Sequence, residues 1–207
     1  MDSRQLRVTK AVIFGLCLLP FLYVVAATFG VAGMSLGANP VEEIIHSMGQ
    51  WGLRLLLVTL AVTPLRKITG ISWPLRLRRM LGLFSFFYIL MHFMSYALID
   101  QRLDLTAIYE DIVERPYITL GITAFLMMLP LAATSTNRMM KRLGGRWQQL
   151  HRLVYAIAIL GAWHFYWQVK KDVLEPLVYA AILAVLLGIR IFYRRRRSRA
   201  GLALAGR

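Results

Sequence analysis

Six long, mainly apolar segments separated by short polar stretches constrain this chain more than any other feature. A helix needs about 20 consecutive, predominantly apolar residues to cross the hydrocarbon core of a bilayer. The segments cover residues 11–29, 46–63, 80–99, 117–134, 150–168 and 177–193. Because a spanning segment must satisfy its own backbone hydrogen bonds, the pattern predicts an all-α membrane protein, a bundle of six transmembrane helices.

The same pattern sets the domain organisation. Residues 11–193 form one membrane domain, flanked by a short N-terminal segment (1–10) and a basic tail (194–207). Hydrophobic residues make up 58% of the chain, against about 45–50% in soluble domains. The remaining residues are too few for a soluble catalytic domain. Prolines such as Pro64, Pro116 and Pro176 are expected to mark segment boundaries, and residue identities show no internal repeat.

The charge distribution predicts the orientation of the bundle. The chain has 25 Lys and Arg against 10 Asp and Glu, for a net charge of +15. By our assignment, 19 of the basic residues fall at the two termini and in the loops after the second and fourth segments. The other side has Arg102, Arg115, Lys170 and Lys171 and nine of the ten acids. The excess of Lys and Arg predicts that both termini are cytoplasmic.

The basic clusters are expected to contact membrane lipid headgroups. Nucleic acid is not an expected partner, because no soluble fold remains to present a basic face. No Walker A or G-x-G-x-x-G motif is present, which argues against a nucleotide domain. The single cysteine, Cys17, cannot form an internal disulfide or a Cys-based metal site, and no C-x-x-C-H motif for covalent attachment of a cofactor is present.

Ionisable residues inside the predicted spans are the main functional candidates, since they are costly there. The candidates are Arg54, His92, His151 and His164, with His46 at the edge of the second segment. At a rise of about 1.5 Å per residue, His92 and His164 lie roughly 18 and 21 Å from the cytoplasmic side. Two imidazoles at the same depth on different helices can bind the iron of one flat macrocycle from its two faces. The pair therefore predicts a haem site, although a lone membrane histidine is more often a packing residue.

Two of these candidates leave alternatives open. Arg54, about 12 Å below the outer surface, would neutralise a haem propionate or a quinone oxygen, or would form an ion pair or snorkel. His151 and His164 are 13 residues apart, which puts them about 140° out of phase on an ideal helix. Either their helix is distorted or the two histidines address separate groups.

Four stretches carry a resemblance to a known family. They are TLAVTPLR at 59–66, LRRMLGLFSFFYILMHFMSYAL at 77–98, RPYITLGITAFLMMLPLAATS at 115–135 and RLGGRWQQLHRLVYAIAILGAWHFYW at 142–167. They resemble the MsrQ family of haem-binding membrane subunits of bacterial periplasmic methionine sulfoxide reductase systems. The similarity runs from about residue 39 to 193. The ferric reductase and NADPH oxidase membrane domains are wider relatives.

The resemblance implies a chain of electron transfers across the bacterial inner membrane. Electrons from the quinol pool or a cytosolic flavin reductase would pass through haem b, and through FMN where it is bound, to a periplasmic molybdopterin catalytic subunit. That partner would reduce oxidised methionines in periplasmic proteins. The chain departs from the wider relatives by lacking their cytosolic FAD/NADPH domain.

The resemblance also implies haem-ligand roles for His92, His151 and His164. It leaves the number of haems open at one or two, because the wider relatives have a second histidine 13 or 14 residues before the position of His92. This chain has Arg79 and Arg78 there. These arginines are therefore candidates for completing a cofactor site at the cytoplasmic level.

Two other functions compete with an electron-transfer subunit. One is a free-standing transmembrane ferric or quinone reductase that uses the same haem. The other is a proton-coupled transporter in which the histidines relay protons. Against the transporter, the predicted spans contain no Asp or Glu to act as a relay partner. A Soret band in the purified protein would separate a haem protein from a transporter.

Overall fold

The structure is a computed structural model that describes residues 2–169 and 172–205, with side chains up to residue 196. The described residues form helices joined by short turns and contain no strand, which confirms the all-α class. The α-helices are α1 (Ser3–Thr28), α2 (Pro40–Thr69), α3 (Arg78–Met94), α4 (Leu105–Glu114), α5 (Pro116–Ala133), α6 (Asn137–Leu143), α7 (Gly145–Leu150), α8 (Leu153–Gln168) and α9 (Leu174–Ala205). Short 3₁₀ helices cover Val31–Gly33 and Trp73–Arg76. A π-helix, Ser95–Asp100, continues α3.

Within the described residues, five helices are long and apolar enough to cross a membrane. They are α1, α2, α3 with its π-helical continuation, α5, and α9 up to Arg196. The fifth predicted segment is divided: Leu150 ends α7, His151 and Arg152 form a turn, and α8 has 16 residues. The six-helix count therefore stays a prediction that depends on α8.

Several predicted boundaries were wrong. Pro64 was expected to end the second segment, but α2 continues to Thr69. Proline lacks an N–H and so frees the carbonyl four residues earlier. That carbonyl, on Leu60, accepts a hydrogen bond from Nη2 of Arg190 at 2.6 Å, which helps the helix run through the proline. The short helices α4, α6 and α7 lie where the sequence predicted loops.

A side chain of α3 bonds to the backbone of α1 on both sides of Pro20. The Tyr88 hydroxyl of α3 donates to the Cys17 carbonyl at 2.7 Å and accepts from the Phe21 amide at 3.0 Å. It thus links the carbonyl and amide that would normally bond to each other along α1. Tyr88 is fully buried, so this inserted hydroxyl joins α1 to α3 inside the bundle.

The helices pack as two principal pairs, α2 with α3 and α5 with α8; α9 packs on α8 and α2, and α1 on α2 and α3. Small residues allow close approach within the first pair. The Gly52 carbonyl accepts from Ser85 Oγ at 2.8 Å, and a Cβ at Gly52 would lie 2.5 Å from Ile89 Cδ1. Such contacts are typical of packed membrane helices.

The two ends of the bundle differ in charge. We call the end with the N-termini of α2, α5 and α9 the acidic end, because it carries nine acids. They are Glu42, Glu43, Asp100, Asp104, Glu110, Asp111, Glu114, Asp172 and Glu175. The opposite, basic end carries the N-terminus of α1, the start of α3, and α6 and α7.

Candidate functional site

A cavity of about 450 Å³ lies between the two principal helix pairs and extends to the acidic end. Its lining is mostly apolar, and three of the four histidines contribute to it: His46, His92 and His164. The structure therefore brings His92 and His164 together, as their matched depth suggested. His151 lies elsewhere, at the basic end.

Backbone carbonyls hold the rings of His92 and His164 in equivalent ways. The Nδ1 atom of His92 is 2.8 Å from the carbonyl oxygen of Ile45, and that of His164 is 2.7 Å from the carbonyl oxygen of Tyr117. A carbonyl can only accept, so Nδ1 must carry the proton in each ring. Each Nε2 then keeps its lone pair for a ligand. This arrangement is usual for histidines that bind metals.

The spacing of the two rings fits one metal ion between them. Their centroids are 6.1 Å apart and their planes cross at 76°. A metal–imidazole bond of about 2 Å, with the nitrogen about 1 Å from its ring centre, gives about 6 Å for two such ligands. Among the described residues there is no group of three or more His, Cys, Asp or Glu that could hold a metal. Two imidazoles suit an iron whose other ligands come from a macrocycle.

A glycine faces each histidine ring. A Cβ on Gly49 of α2 would lie 3.0 Å from Nδ1 of His92. A Cβ on Gly121 of α5 would lie 2.9 Å from Nδ1 and Cε1 of His164. Both rings therefore occupy space that only a glycine leaves free.

These contacts reveal a repeat that residue identities did not suggest. His92 and His164 are 72 positions apart, and so are Ile45 and Tyr117, and Gly49 and Gly121. The α2–α3 and α5–α8 pairs thus place a histidine, a carbonyl and a glycine at equivalent positions. Neither glycine was predicted from the sequence; the constant 72-residue spacing is the signal that could have indicated them.

Near the mouth of the cavity, Asp111 of α4 joins several side chains through hydrogen bonds and an ion pair. This carboxylate is only 9% exposed. It accepts hydrogen bonds from the Tyr96 hydroxyl at 2.9 Å and Gln101 Nε2 at 3.2 Å. Its other oxygen lies 3.1 Å from Nε of Arg115, whose side chain is about half exposed and lines the cavity. The negative charge of Asp111 raises the pKa of the Arg115 guanidinium. Elsewhere on the rim, His46 is hydrogen-bonded to Gln168.

Arg54 makes an ion pair rather than lining the cavity. Its guanidinium donates to the Tyr179 hydroxyl at 2.6 Å, and to Gln50 Oε1 and Glu175 Oε1 at 3.2 Å each. These bonds connect α2 to the start of α9. Of the alternatives that the sequence left open for Arg54, the structure contains the ion pair.

A smaller cavity, about 90 Å³, lies at the basic end beside Arg78, Arg79 and His151. The His151 ring stacks on Trp147, with centroids 3.8 Å apart. Its Nδ1 is 3.0 Å from the Trp147 carbonyl oxygen, and its Nε2 is 3.5 Å from Ser135 Oγ. Arg79 donates to Asn137 of α6. This site has one histidine and about a fifth of the volume of the other cavity.

Comparison with known proteins identifies the class to which this fold and cavity belong. Residues 48–162, which include α3 and most of α8, match the family described as ferric reductase like transmembrane component.

Individual relatives narrow the assignment further. Proteins named protein-methionine-sulfoxide reductase heme-binding subunit MsrQ are similar over nearly the whole chain. The protein from Ralstonia nicotianae is 49% identical over 100% of this chain and 94% of its own length. The one from Azospira oryzae is 52% identical over 93% of this chain and 82% of its own. The one from Rhodospirillum rubrum is 49% identical over 95% and 94%. The chain therefore belongs to the ferric reductase-like transmembrane family and, within it, to the MsrQ family of membrane subunits.

Proposed function

We propose that this chain is a haem b electron-transfer subunit of a periplasmic methionine sulfoxide reductase system in the bacterial inner membrane. It would take electrons from the quinol pool or a cytosolic flavin reductase. It would pass them to a periplasmic molybdopterin catalytic subunit, which reduces oxidised methionines. The observation that supports this most directly is the pair His92 and His164 across one cavity, with ring centroids 6.1 Å apart.

His92 and His164 are the residues that would hold the haem, through their Nε2 atoms. When bound, haem b supplies an iron that accepts and passes on one electron at a time. The carbonyls of Ile45 and Tyr117 fix both rings with Nε2 free for the iron. A haem held by two imidazoles would supply electron transfer rather than a binding site for a substrate. This supports a subunit that carries electrons while its partner performs the substrate chemistry.

The direction of electron flow follows from the proposed orientation. The excess of Lys and Arg at the basic end supports a cytoplasmic location for that end and for both termini. The histidine cavity would then open on the periplasmic side, where electrons must leave. A reporter active only in the periplasm, fused to the C-terminus of the full chain, should be silent. Strong reporter activity would reverse the orientation.

The basic end is the proposed entry side for electrons. His151, Arg78 and Arg79 are the residues there that could contact a donor or a second cofactor such as FMN. Because the cavity beside them is small and has a single histidine, we propose one haem per chain.

The decisive experiment is spectroscopic. The purified full chain should show a low-spin b-type reduced-minus-oxidised spectrum and about one haem per chain in a pyridine haemochrome assay. A protein without a Soret band would refute the haem proposal and favour a transporter. A haem protein that reduced Fe(III) chelates or quinone at full rate without any partner would instead favour the free-standing reductase.

A further inference from the structure

The large cavity has a single strong cation among its described lining residues. Of the lining residues that the structure describes, Arg115 is the only Lys or Arg, and Glu42 and Asp100 are the acids. A haem carries two propionate groups that are ionised at neutral pH. Carboxylates pair best with arginine, whose planar guanidinium can donate two parallel hydrogen bonds. The Arg115 guanidinium therefore provides a binding partner for a carboxylate at one point of the cavity rim, where α4 meets α5.

The guanidinium of Arg115 is held in place by the Asp111 carboxylate. Asp111 Oδ1 is 3.1 Å from its Nε, and Asp111 is itself fixed by Tyr96 and Gln101. The Asp111 contact uses Nε rather than the terminal nitrogens Nη1 and Nη2, and the Tyr117 side chain beside the guanidinium also raises its pKa. The Asp111 carboxylate thus orients the Arg115 side chain without using Nη1 and Nη2, the two nitrogens that can donate to a second carboxylate.

Arg54, which the sequence offered as a partner for a haem propionate, is already engaged. Arg54 is bonded to Gln50, Glu175 and Tyr179 and is not among the residues that line the cavity. We infer that Arg115 binds a haem propionate at the mouth of the cavity, and that the Asp111 carboxylate positions it. This inference rests on the proposed function and adds to it the orientation of the macrocycle, with a propionate directed toward the α4–α5 corner.

Two variants of the full-length protein test the inference, with a matched control. Arg115→Gln removes the positive charge. Arg115→Lys keeps the charge but lacks the planar guanidinium with its two terminal nitrogens. Arg102→Gln is the control, because Arg102 is an exposed arginine at the same end and does not line the cavity. The measurements are the haem midpoint potential and the rate of haem loss to apomyoglobin.

Arg115→Gln should lower the equilibrium constant for haem reduction about tenfold, which is 59 mV for a one-electron couple. The sign follows because a nearby cation favours the reduced iron, which has one less positive charge. Haem loss should become about tenfold faster, as expected from the loss of one charge-assisted contact. Arg115→Lys should show less than half of the shift in potential, and Arg102→Gln should match the wild type.

A second measurement applies even if Arg115→Gln folds poorly. Wild-type protein reconstituted with haem dimethyl ester, which has no ionised propionates, should show the same faster haem loss. In Arg115→Gln, esterification should then have little further effect. If wild-type protein binds low-spin haem but Arg115→Gln matches Arg102→Gln in potential and haem loss, the inference fails and the haem proposal stands. If wild-type protein binds no haem, the proposed function itself fails.

Discussion

The helix pairs α2–α3 and α5–α8 match at the acidic end of the bundle and differ at the basic end. At the acidic end each pair supplies a histidine, a carbonyl that fixes it and a glycine that makes room for it. At the basic end the position 72 residues before His151 is Arg79. His151 stacks on Trp147, whereas Arg79 binds the α6 residue Asn137.

This difference indicates what each end can hold. Equivalent groups from two pairs suit a ligand with two equivalent faces, such as a flat iron macrocycle with one imidazole on each side. The basic end presents one imidazole, two arginines and a cavity of about 90 Å³. It is better suited to contact with a donor or with an anionic cofactor. The predictions below test whether the two ends have separate roles.

The largest expected effect is loss of haem when either His92 or His164 is replaced. His92→Ala and His164→Ala each remove one proposed iron ligand, which water would replace poorly in an apolar cavity. Each variant should lose most of its haem or become high-spin, and reduction of the partner should stop in both. The measurements are the absorption spectrum and haem content of the purified variants.

His46→Ala is the discriminating control, because His46 is the third histidine that lines the cavity. It is bonded to Gln168 at the rim, so its replacement should leave the low-spin spectrum intact. If His46→Ala lost the haem while His92→Ala kept it, the ligand assignment would be wrong. α2 would then replace α3 as the source of a ligand.

The fold could be predicted from the sequence as far as periodicity and composition determine it. Long apolar runs identified the membrane helices, because bilayer thickness and backbone hydrogen bonding leave few alternatives. Local signals failed where distant residues compensate. Pro64 was read as a helix end, yet Arg190, 126 positions later, satisfies the carbonyl that it frees. The amphipathic α4 was missed because ten residues are too few to resemble a span.

The site was partly predictable for a related reason. The depth of a residue in a membrane helix follows from its position in the sequence and the rise per residue. The juxtaposition of His92 and His164 could therefore be expected from their positions alone. Which side chains of neighbouring helices contact each other also depends on how each helix is rotated about its axis, and the sequence does not specify that rotation. Arg54 could therefore be placed at a depth but not assigned to Glu175. The role of Arg115 depends on its contact with Asp111 and on the shape of the cavity.

Adding one methyl group at either equivalent glycine should weaken the acidic-end site. In Gly49→Ala and Gly121→Ala the new Cβ would lie 3.0 and 2.9 Å from atoms of the facing imidazole ring. Overpacking of this kind costs about 1–3 kcal/mol, so haem loss should become roughly tenfold faster in each variant. Because the two positions are equivalent, the two effects should be similar.

Gly161→Ala is the matched control for these variants. Gly161 lies on α8 and lines the same cavity, but its Cβ would be 3.8 Å from Leu53 Cδ1, an ordinary contact. It gains the same helix propensity from alanine without approaching a histidine. A Gly161→Ala variant that lost haem as fast as Gly121→Ala would show that general packing, not the ring contact, is responsible.

A moderate effect is expected from the charges at the acidic end. If this end docks the catalytic partner, exposed acids should favour association with a basic patch and make it sensitive to salt. Reversing Glu42, Glu43, Glu110 and Glu114 to lysine should slow partner reduction several-fold at low ionic strength. Asp2→Lys, a charge reversal at the other end, should have no effect. An unchanged rate in the fourfold variant at low salt would contradict docking through this surface.

The smallest effect should come from the basic end, where the two helix pairs differ. His151→Ala should keep the low-spin spectrum, because His151 does not line the histidine cavity. Reduction of the haem by a donor on the cytoplasmic side should slow a few-fold. Rapid-mixing measurements with quinol or a flavin reductase would give that rate.

His151→Phe separates the imidazole from its packing. A phenyl ring can keep the stacking on Trp147 but has no nitrogen for a donor or a cofactor. If the nitrogens matter, His151→Phe and His151→Ala should slow haem reduction equally. If only the stacked ring matters, His151→Phe should restore the wild-type rate, and the basic end would then be structural. A loss of low-spin haem in both variants would mean that the two ends are not separate, and that His151 supports the acidic-end site through α8.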